Sequence, residues 1–465
     1  MSPEESERKN KEPGNALHSV PFGEALRVWV RVALLSFGGP AGQIAVMHRI
    51  LVEEKRWLSE SRFLHALNYC MLLPGPEAQQ LATYVGWLLH KTRGGLTAGV
   101  LFILPGFVSI LVLSMLYASY RQSTIVEAIF FGIKPAVMAV VVEAVIRIGG
   151  RTLKNNVMIL LAAAAFVAIF LFGVPFPLII LFAAAMGFAG GRMGMHGIFN
   201  TAHEEEPEDA NGNGFVITAA AANHTRPTVG RAVRLIAVMS LLWLGPIAII
   251  AAVLGRGSIF AEEGLFFSKV AVVTFGGAYA VLAYITQQAV GTYGWLNPGE
   301  MLDGLGMAET TPGPLIQVVQ FVGFMGAYRN PGPFDPLTAG IIGSVVTTWV
   351  TFVPCFLWIF LGAPYIENLR GNKSLGSALS AITAAVVGVI LNLAVWFSIH
   401  TMFGEVNEMR TFGMTLHVPV WETVDPASVA IAAGAFVLIF LFRLGMIPTL
   451  ALSAAAGLAW RYLVV

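Results

Sequence analysis

Charge is what this chain has least of. Only 12% of its 465 residues are Asp, Glu, Lys or Arg, about half the ~25% of an ordinary soluble domain. That shortage excludes a solvated globular surface. The net charge of +1 gives no sign of the basic face that nucleic acid requires, so no nucleic-acid partner is expected. Cysteine is nearly absent too. Cys70 and Cys355 both lie in apolar surroundings, so neither a disulfide framework nor a zinc site is expected. The nine histidines are scattered, mostly in predicted loops (His18, His90, His196, His203, His224, His417), with no HExxH and no paired acidic motif. A membrane-embedded enzyme needs a nucleophile with its base, or a metal cluster. No catalytic residue, metal or cofactor is therefore expected. Residues 1–21 contain no apolar h-region, so no cleavable signal peptide is expected.

Hydrophobic residues make up 56% of the chain, with a mean hydropathy of +0.72. Runs long enough to cross ~30 Å of hydrocarbon recur at Leu96–Leu116, Ile125–Ile146, Leu235–Leu254, Leu337–Leu361 and Leu375–Ile399. The fold class is an all-α polytopic membrane protein. One polar interruption, with the acidic run Glu204–Asp209 and then Asn-Gly-Asn-Gly, reads as a solvated linker. The expected layout is an N-terminal cytoplasmic tail (1–21), a first repeat (22–200), a linker (201–231) and a second repeat (232–465).

The repeat is legible in rare punctuation. SFGG at Ser36–Gly39 returns as TFGG at Thr274–Gly277, an offset of 274 − 36 = 238. The same offset carries Trp57-Leu58 to Trp295-Leu296, Pro74-Gly75-Pro76 to Pro312-Gly313-Pro314, and Gln79 to Gln317. After an insertion, Pro105 corresponds to Pro354. Lys and Arg favour short cytoplasmic loops. The clusters Lys91/Arg93, Arg147/Arg151/Lys154, Arg192 and Arg226/Arg231/Arg234 then leave two spans between neighbours. A single further span, Leu235–Leu254, delivers the second unit to the opposite face. An inverted-topology internal repeat follows, which is a transporter architecture, with about 11–13 membrane segments. Whether the motif segments span or re-enter stays open.

Glycine and proline at FGG and PGP predict discontinuous helices. Non-helical backbone survives at membrane depth only inside protein or beside a water-filled cavity. A helix N-terminus offers unpaired N–H groups and about half a positive charge, which suits an anion. The candidate binding set is Ser36, Gly38, Gly39, Gly75 and Gln79, with Thr274, Gly276, Gly277, Gly313 and Gln317 in the second unit. Arg31 and Lys269 stand five residues before Ser36 and Thr274, again 238 apart. Arg31 is two helical turns from Gly38, and Lys269 from Gly276, so each pair is expected to share a face. Anion ligation and snorkelling to an interface are both open to these cations. Arg27 would line an approach path. Glu77 and Glu309 are candidates for a coupling proton or for pairing a cation. Gln79 and Gln317 serve equally as oxyanion donors or as interhelical glue. Glu143 and Arg147 read as an i,i+4 ion pair, Lys134 has no assigned role, and Trp57 and Trp295 read as interfacial anchors.

The duplicated FGGP and LPGP…Q elements resemble the chromate ion transporter family in its long, two-domain form. The resemblance is strong over Phe22 to about Phe107 and good over Leu265 to about Phe356. It implies a bacterial inner-membrane carrier that exports chromate, with the bilayer and a chromate or sulfate-like oxyanion as partners and no prosthetic group. A homodimer is compatible with it. The second unit departs from the pattern, with Ala278 in place of Pro40 and TTPGPL in place of LLPGPE. The two units are thus expected to contribute unequally. A sulfate or other oxyanion permease, and a passive anion channel, remain alternatives.

Overall fold

A computed structural model describes residues 20–37, 39–194, 228–275, 277–365 and 373–463. Gly38, Gly276, the N-terminal tail to residue 19 and the linker to residue 227 lie outside the described residues. Sixteen α-helices make up most of the described chain. Five of them are long and apolar enough to cross a membrane: Glu77–Tyr120, Thr124–Thr152, Val229–Val253, Pro336–Gly362 and Ser374–Met402. The lone sheet among the described residues is an antiparallel hairpin of β1 (Val406–Thr411) and β2 (Met414–Pro419), anchored where the Thr415 amide donates to Leu171 O (2.7 Å). It lies within residues 401–425, which carry four acidic residues against one arginine.

The first unit begins with α1 (Phe22–Leu35), which at 14 residues is about 21 Å long and too short to span. It stops at Ser36. The chain restarts as α2 (Gly39–His48), prolonged by a π-turn at Arg49–Glu54, and comes back: Lys55 Nζ lies 2.8 Å from Glu24 Oε1, near the start of α1. The next pair repeats the manoeuvre. Here α3 (Glu60–Leu72) enters, the chain breaks at Pro74-Gly75-Pro76, and α4 (Glu77–Tyr120) begins. Residues 77–89 return to the starting face, where His90 Nε2 meets Val20 O at 2.8 Å and stacks edge-on with Phe22. At His90 and Lys91 the backbone leaves helical geometry (Lys91 φ 53, ψ −148), and residues 92–120 fold back against the first limb. A Cβ on Gly99 would lie 2.4 Å from Thr83 Oγ1, which shows how closely the limbs pack. The motif segments therefore re-enter; they do not span.

After α5 (Thr124–Thr152), α6 (Asn156–Phe170), α7 (Phe176–Arg192) and α8 (Val229–Val253), the second unit repeats the plan. Its members are α9 (Ile259–Val273), α10 (Ala278–Thr286) with a π-turn at Gln287–Thr292, α11 (Pro298–Thr310), then a 3₁₀ turn (Leu315–Gln317) leading into α12 (Val318–Arg329). Both π-turns sit 238 residues apart, at Arg49 and Gln287. Phe22 and its equivalent Phe260 each meet a second ring further along their own unit, His90 and Phe334 respectively. Long α13 (Pro336–Gly362) and α14 (Lys373–Met402) follow, then α15 (Pro426–Phe436) and α16 (Met446–Leu463).

The 92–120 limb measures the arrangement. Its 29 residues extend about 43 Å. The base of the first unit lies at its beginning, through His90 and Val20. The base of the second lies just past its end, where Arg121 is hydrogen-bonded to Glu300 at the start of α11. The two units thus enter from opposite ends of one membrane helix. Both tryptophans differ from the sequence expectation: Trp57 is 3% exposed and Trp295 2%. Trp295 is walled in by Phe266, Phe267 and Tyr293. A re-entrant base packs its aromatic residues against itself, so the indoles never reach an interface.

Candidate functional site: a crossing of four broken helices

The local chemistry of each break is the same. Ser36 and Thr274 are buried and return their hydroxyls to the carbonyls four residues back, Ser36 Oγ to Val32 O (2.7 Å) and Thr274 Oγ1 to Val270 O (2.6 Å). That leaves the Ser36 and Thr274 carbonyls, at their helix ends, without intrahelical partners. Each finds one in the other unit. The Gly313 amide donates to Ser36 O (2.9 Å), and the Gly75 amide donates to Thr274 O (2.8 Å). This is a reciprocal exchange, FGG of each unit with PGP of the other.

Glycine is required at the donors. Gly75 has φ +126 and Gly313 φ +106, conformations that side chains rarely adopt. A Cβ on Gly75 would lie 2.9 Å from Cys355 Sγ, and one on Gly313 would lie 3.1 Å from Gly106 Cα. Cys355 and Gly106 are themselves equivalent, each following the matched prolines Pro354 and Pro105. Gly106 stands halfway along the 92–120 limb, so the crossing lies at mid-membrane depth.

Four helix N-termini meet here: α2, α4, α10, and the turn leading into α12. Gln43 Nε2 of α2 donates to Gly313 O (2.5 Å). A Cβ on Gly39 (φ +69) would be 3.8 Å from the Tyr279 hydroxyl, and one on Gly277 (φ +99) 3.8 Å from Glu77 Oε1. Tyr279 donates to Glu309 Oε1 (2.5 Å), leaving Glu309 Oε2 without a partner. Gln79 Nε2 donates to Thr83 Oγ1 (3.0 Å), Gln80 Nε2 to Pro74 O (2.8 Å) and Gln317 Nε2 to Gln320 Oε1 (2.7 Å). The Oε1 atoms of Gln79, Gln80 and Gln317 are buried and unpartnered. Folded proteins leave few such atoms, and a cluster of them needs a reason.

The cations behave differently from the amides. Arg31 is half exposed and grips Glu54, with Nη1 2.6 Å from Oε2 and Nη2 3.3 Å from Oε1. Lys269 is exposed on α9 in one stripe with Leu265 and Val272. Five residues turn a helix by about 140°, so Arg31 points away from the side that buries Ser36. The helical periodicity behind the expected two-turn alignment ends with α1 at Leu35, short of Gly38, which lies outside the described residues. Arg27 is exposed on the same helix. Lys134 finds a partner that sequence reading missed, Asp303 Oδ2 at 3.4 Å. Glu143 and Arg147 form their i,i+4 pair at 3.3 Å. Gln43, Gln80, Tyr279 and Gly106 were also missed. Gln43 stands four residues after Gly39 and Gly106 directly after a matched proline, so both carried a signal, whereas Tyr279 replaces an alanine (Ala41) and had none. Among the described residues no group of His, Cys, Asp and Glu side chains forms a metal site.

Comparison with known proteins adds the family. The chromate transporter family matches residues 23–188 and 262–458, once in each unit. The chain is 32% identical over 399 residues to a chromate transport protein of Pseudomonas aeruginosa, covering 83% of this chain and 84% of that protein. It is 26% identical to a chromate transport protein of Cupriavidus metallidurans over 81% of this chain and 83% of the other. A probable chromate transport protein of Synechococcus elongatus is 24% identical over 91% of this chain and 98% of its own length. No solved structure matches the chain. With both units matched, this multi-pass membrane protein belongs to the chromate transporter family, a family of transporters and not of enzymes.

Proposed function

We propose that the crossing is the substrate site and that the protein exports chromate from the cytoplasm across the inner membrane, conferring resistance. The N-terminus and the base of the first unit are then cytoplasmic, with residues 22–200 and 232–465 as the two repeats. The observation that carries this reading is the meeting of four helix N-termini at mid-membrane depth beside unpartnered buried amides. Helix ends supply N–H donors and partial positive charge without the cost of placing an ion in hydrocarbon. A half-turn of the Gln79 or Gln317 amide exchanges its unpartnered oxygen for an NH2 group. The ligands are the free N–H groups at the starts of α2, α4 and α10 with those two amides, while Gly75 and Gly313, whose own N–H groups are taken by Thr274 and Ser36, shape the turns that aim them. Arg27, Arg31 and Lys269 act at longer range by raising the local anion concentration.

Direction follows from charge. Moving a dianion outward across a membrane that is negative inside releases about 4.6 kcal/mol per 100 mV, more than three decades in concentration ratio. Glu77 and Glu309 border the same site, and an ionised carboxylate there repels the substrate. A site whose Glu309 is already protonated lacks that repulsion, so flux falls as pH rises through its ionisation and Glu309→Gln flattens that fall. Sulfate has nearly the same shape and charge as chromate. Purified protein in liposomes, assayed for chromate and sulfate flux at clamped potential, tests the reading. Saturable chromate efflux that steepens with inside-negative potential is expected. Sulfate flux without chromate flux, or a potential-independent rate, overturns it.

A further inference from the structure

The transport site leaves one cluster of charges unused. Glu300 and Asp303, one turn apart on α11, are 4% and 2% exposed. Glu300 caps its own helix by accepting from the Asn297 amide (2.8 Å) and is gripped by both Arg121 and Arg329, the latter at 2.5 Å. Asp303 Oδ2 accepts from the Tyr117 hydroxyl (2.7 Å) and pairs with Lys134 (3.4 Å), while its Oδ1 has no partner. The carboxylates belong to the second unit. Tyr117, Arg121 and Lys134 come from α4 and α5 of the first half.

Three features separate this cluster from an ordinary structural ion pair. It bridges the halves at the base of the second unit, the end of the membrane opposite His90. Its cations are part-exposed (Arg121 39%, Lys134 30%, Arg329 27% by side chain) over nearly buried acids, so the cations form the outer layer of the cluster. And it has no mirror image. The positions equivalent to Glu300, Asp303 and Arg329 in the first unit are Arg62, His65 and Lys91, all basic. The first unit's base presents positive charge to an arriving anion, while the second unit's base carries acids that draw its cations inward. The eleven residues from Glu300 to Thr310, ten helical rises, form a rigid rod of about 15 Å running from the cluster to the break at Pro312.

Resting on the export reading above, we infer that this cluster is the gate on the periplasmic side of the site. It shuts the path by tying α4 and α5 to α11. It opens when the oxyanion leaving the crossing replaces Glu300 and Asp303 as the partner of Arg121, Lys134 and Arg329. Excess cationic charge, three against two, makes that exchange favourable for an anion. Movement of α11 then transmits occupancy of the crossing to the gate.

The test is accessibility, which needs no transport. Thr310→Cys, at the inner end of α11, is labelled in right-side-out vesicles with a membrane-impermeant thiol reagent. Cys70 and Cys355 are buried, and the parent protein sets the background. Labelling at least tenfold faster in Lys134→Asp and in Asp303→Lys, with return towards the parent rate in the double swap, is expected. Glu300→Gln behaves like the single variants. Unchanged labelling in folded, membrane-inserted single variants overturns the gate. Should Lys134→Asp fail to insert, Lys134→Gln, which removes only a part-exposed amine, gives the same decision. Chromate in the medium speeds parent labelling if the export reading holds. If it fails while the swaps still act, the gate stands and the substrate assignment falls.

Discussion

Gly75 and Gly313 have two constraints at once, a left-handed backbone and an amide that must reach a carbonyl in the other unit. A side chain at either costs about 1–3 kcal/mol of backbone strain, and at Gly75 it also meets Cys355. Gly75→Val and Gly313→Val are expected to abolish chromate flux in liposomes and to lower thermal stability. Arg31→Gln separates this site from a cation-based one. Because Arg31 is half exposed and already paired with Glu54, its loss is expected to lower flux less than tenfold and to cost under about 1 kcal/mol. Flux abolished by Arg31→Gln, with flux retained in Gly75→Val, would move the binding site to the cations.

An interrupted helix pair can either traverse the bilayer or turn back within it, and the contacts at its ends decide which. Lys55 with Glu24, and His90 with Val20, place both hairpins of the first unit on one face. Cysteines at Glu24 and Lys55 are therefore expected to be joined by a short bis-maleimide in the membrane, while two spanning helices would hold them ~30 Å apart. The repeat was readable because FGG and PGP are rare in apolar sequence. Re-entry was not, since a 14-residue apolar helix has the same periodicity whether its successor continues or returns. The π-turns at Arg49 and Gln287 were likewise invisible, being a property of hydrogen-bond register and not of composition.

At the scale of the whole molecule the two units are not independent domains placed side by side. Each completes the other's backbone: the carbonyl at the end of α1 is satisfied by Gly313, and that at the end of α9 by Gly75. An unsatisfied buried group of this kind costs several kcal/mol in hydrocarbon. Residues 1–200 expressed alone are thus expected to give no chromate flux and poor membrane stability, and coexpression with 201–465 to restore both. Flux from the first half alone would sink the crossing as the binding site.

Sequence alone determined the properties that are local or repeated: a membrane chain from its hydropathy, a duplication from its glycine–proline punctuation, and interrupted helices from backbone chemistry. Tertiary structure decided which groups meet. Ser36 with Gly313 and Thr274 with Gly75 join positions some two hundred residues or more apart, and Asp303 with Lys134 joins first half to second across a similar gap. Arg31 shows the limit most clearly, because helical spacing places it beside Gly38 only if the helix continues, and the residues that invited the comparison are the ones that end it. Periodicity carries information along an unbroken helix; past a break, direction is set by the packing of distant segments.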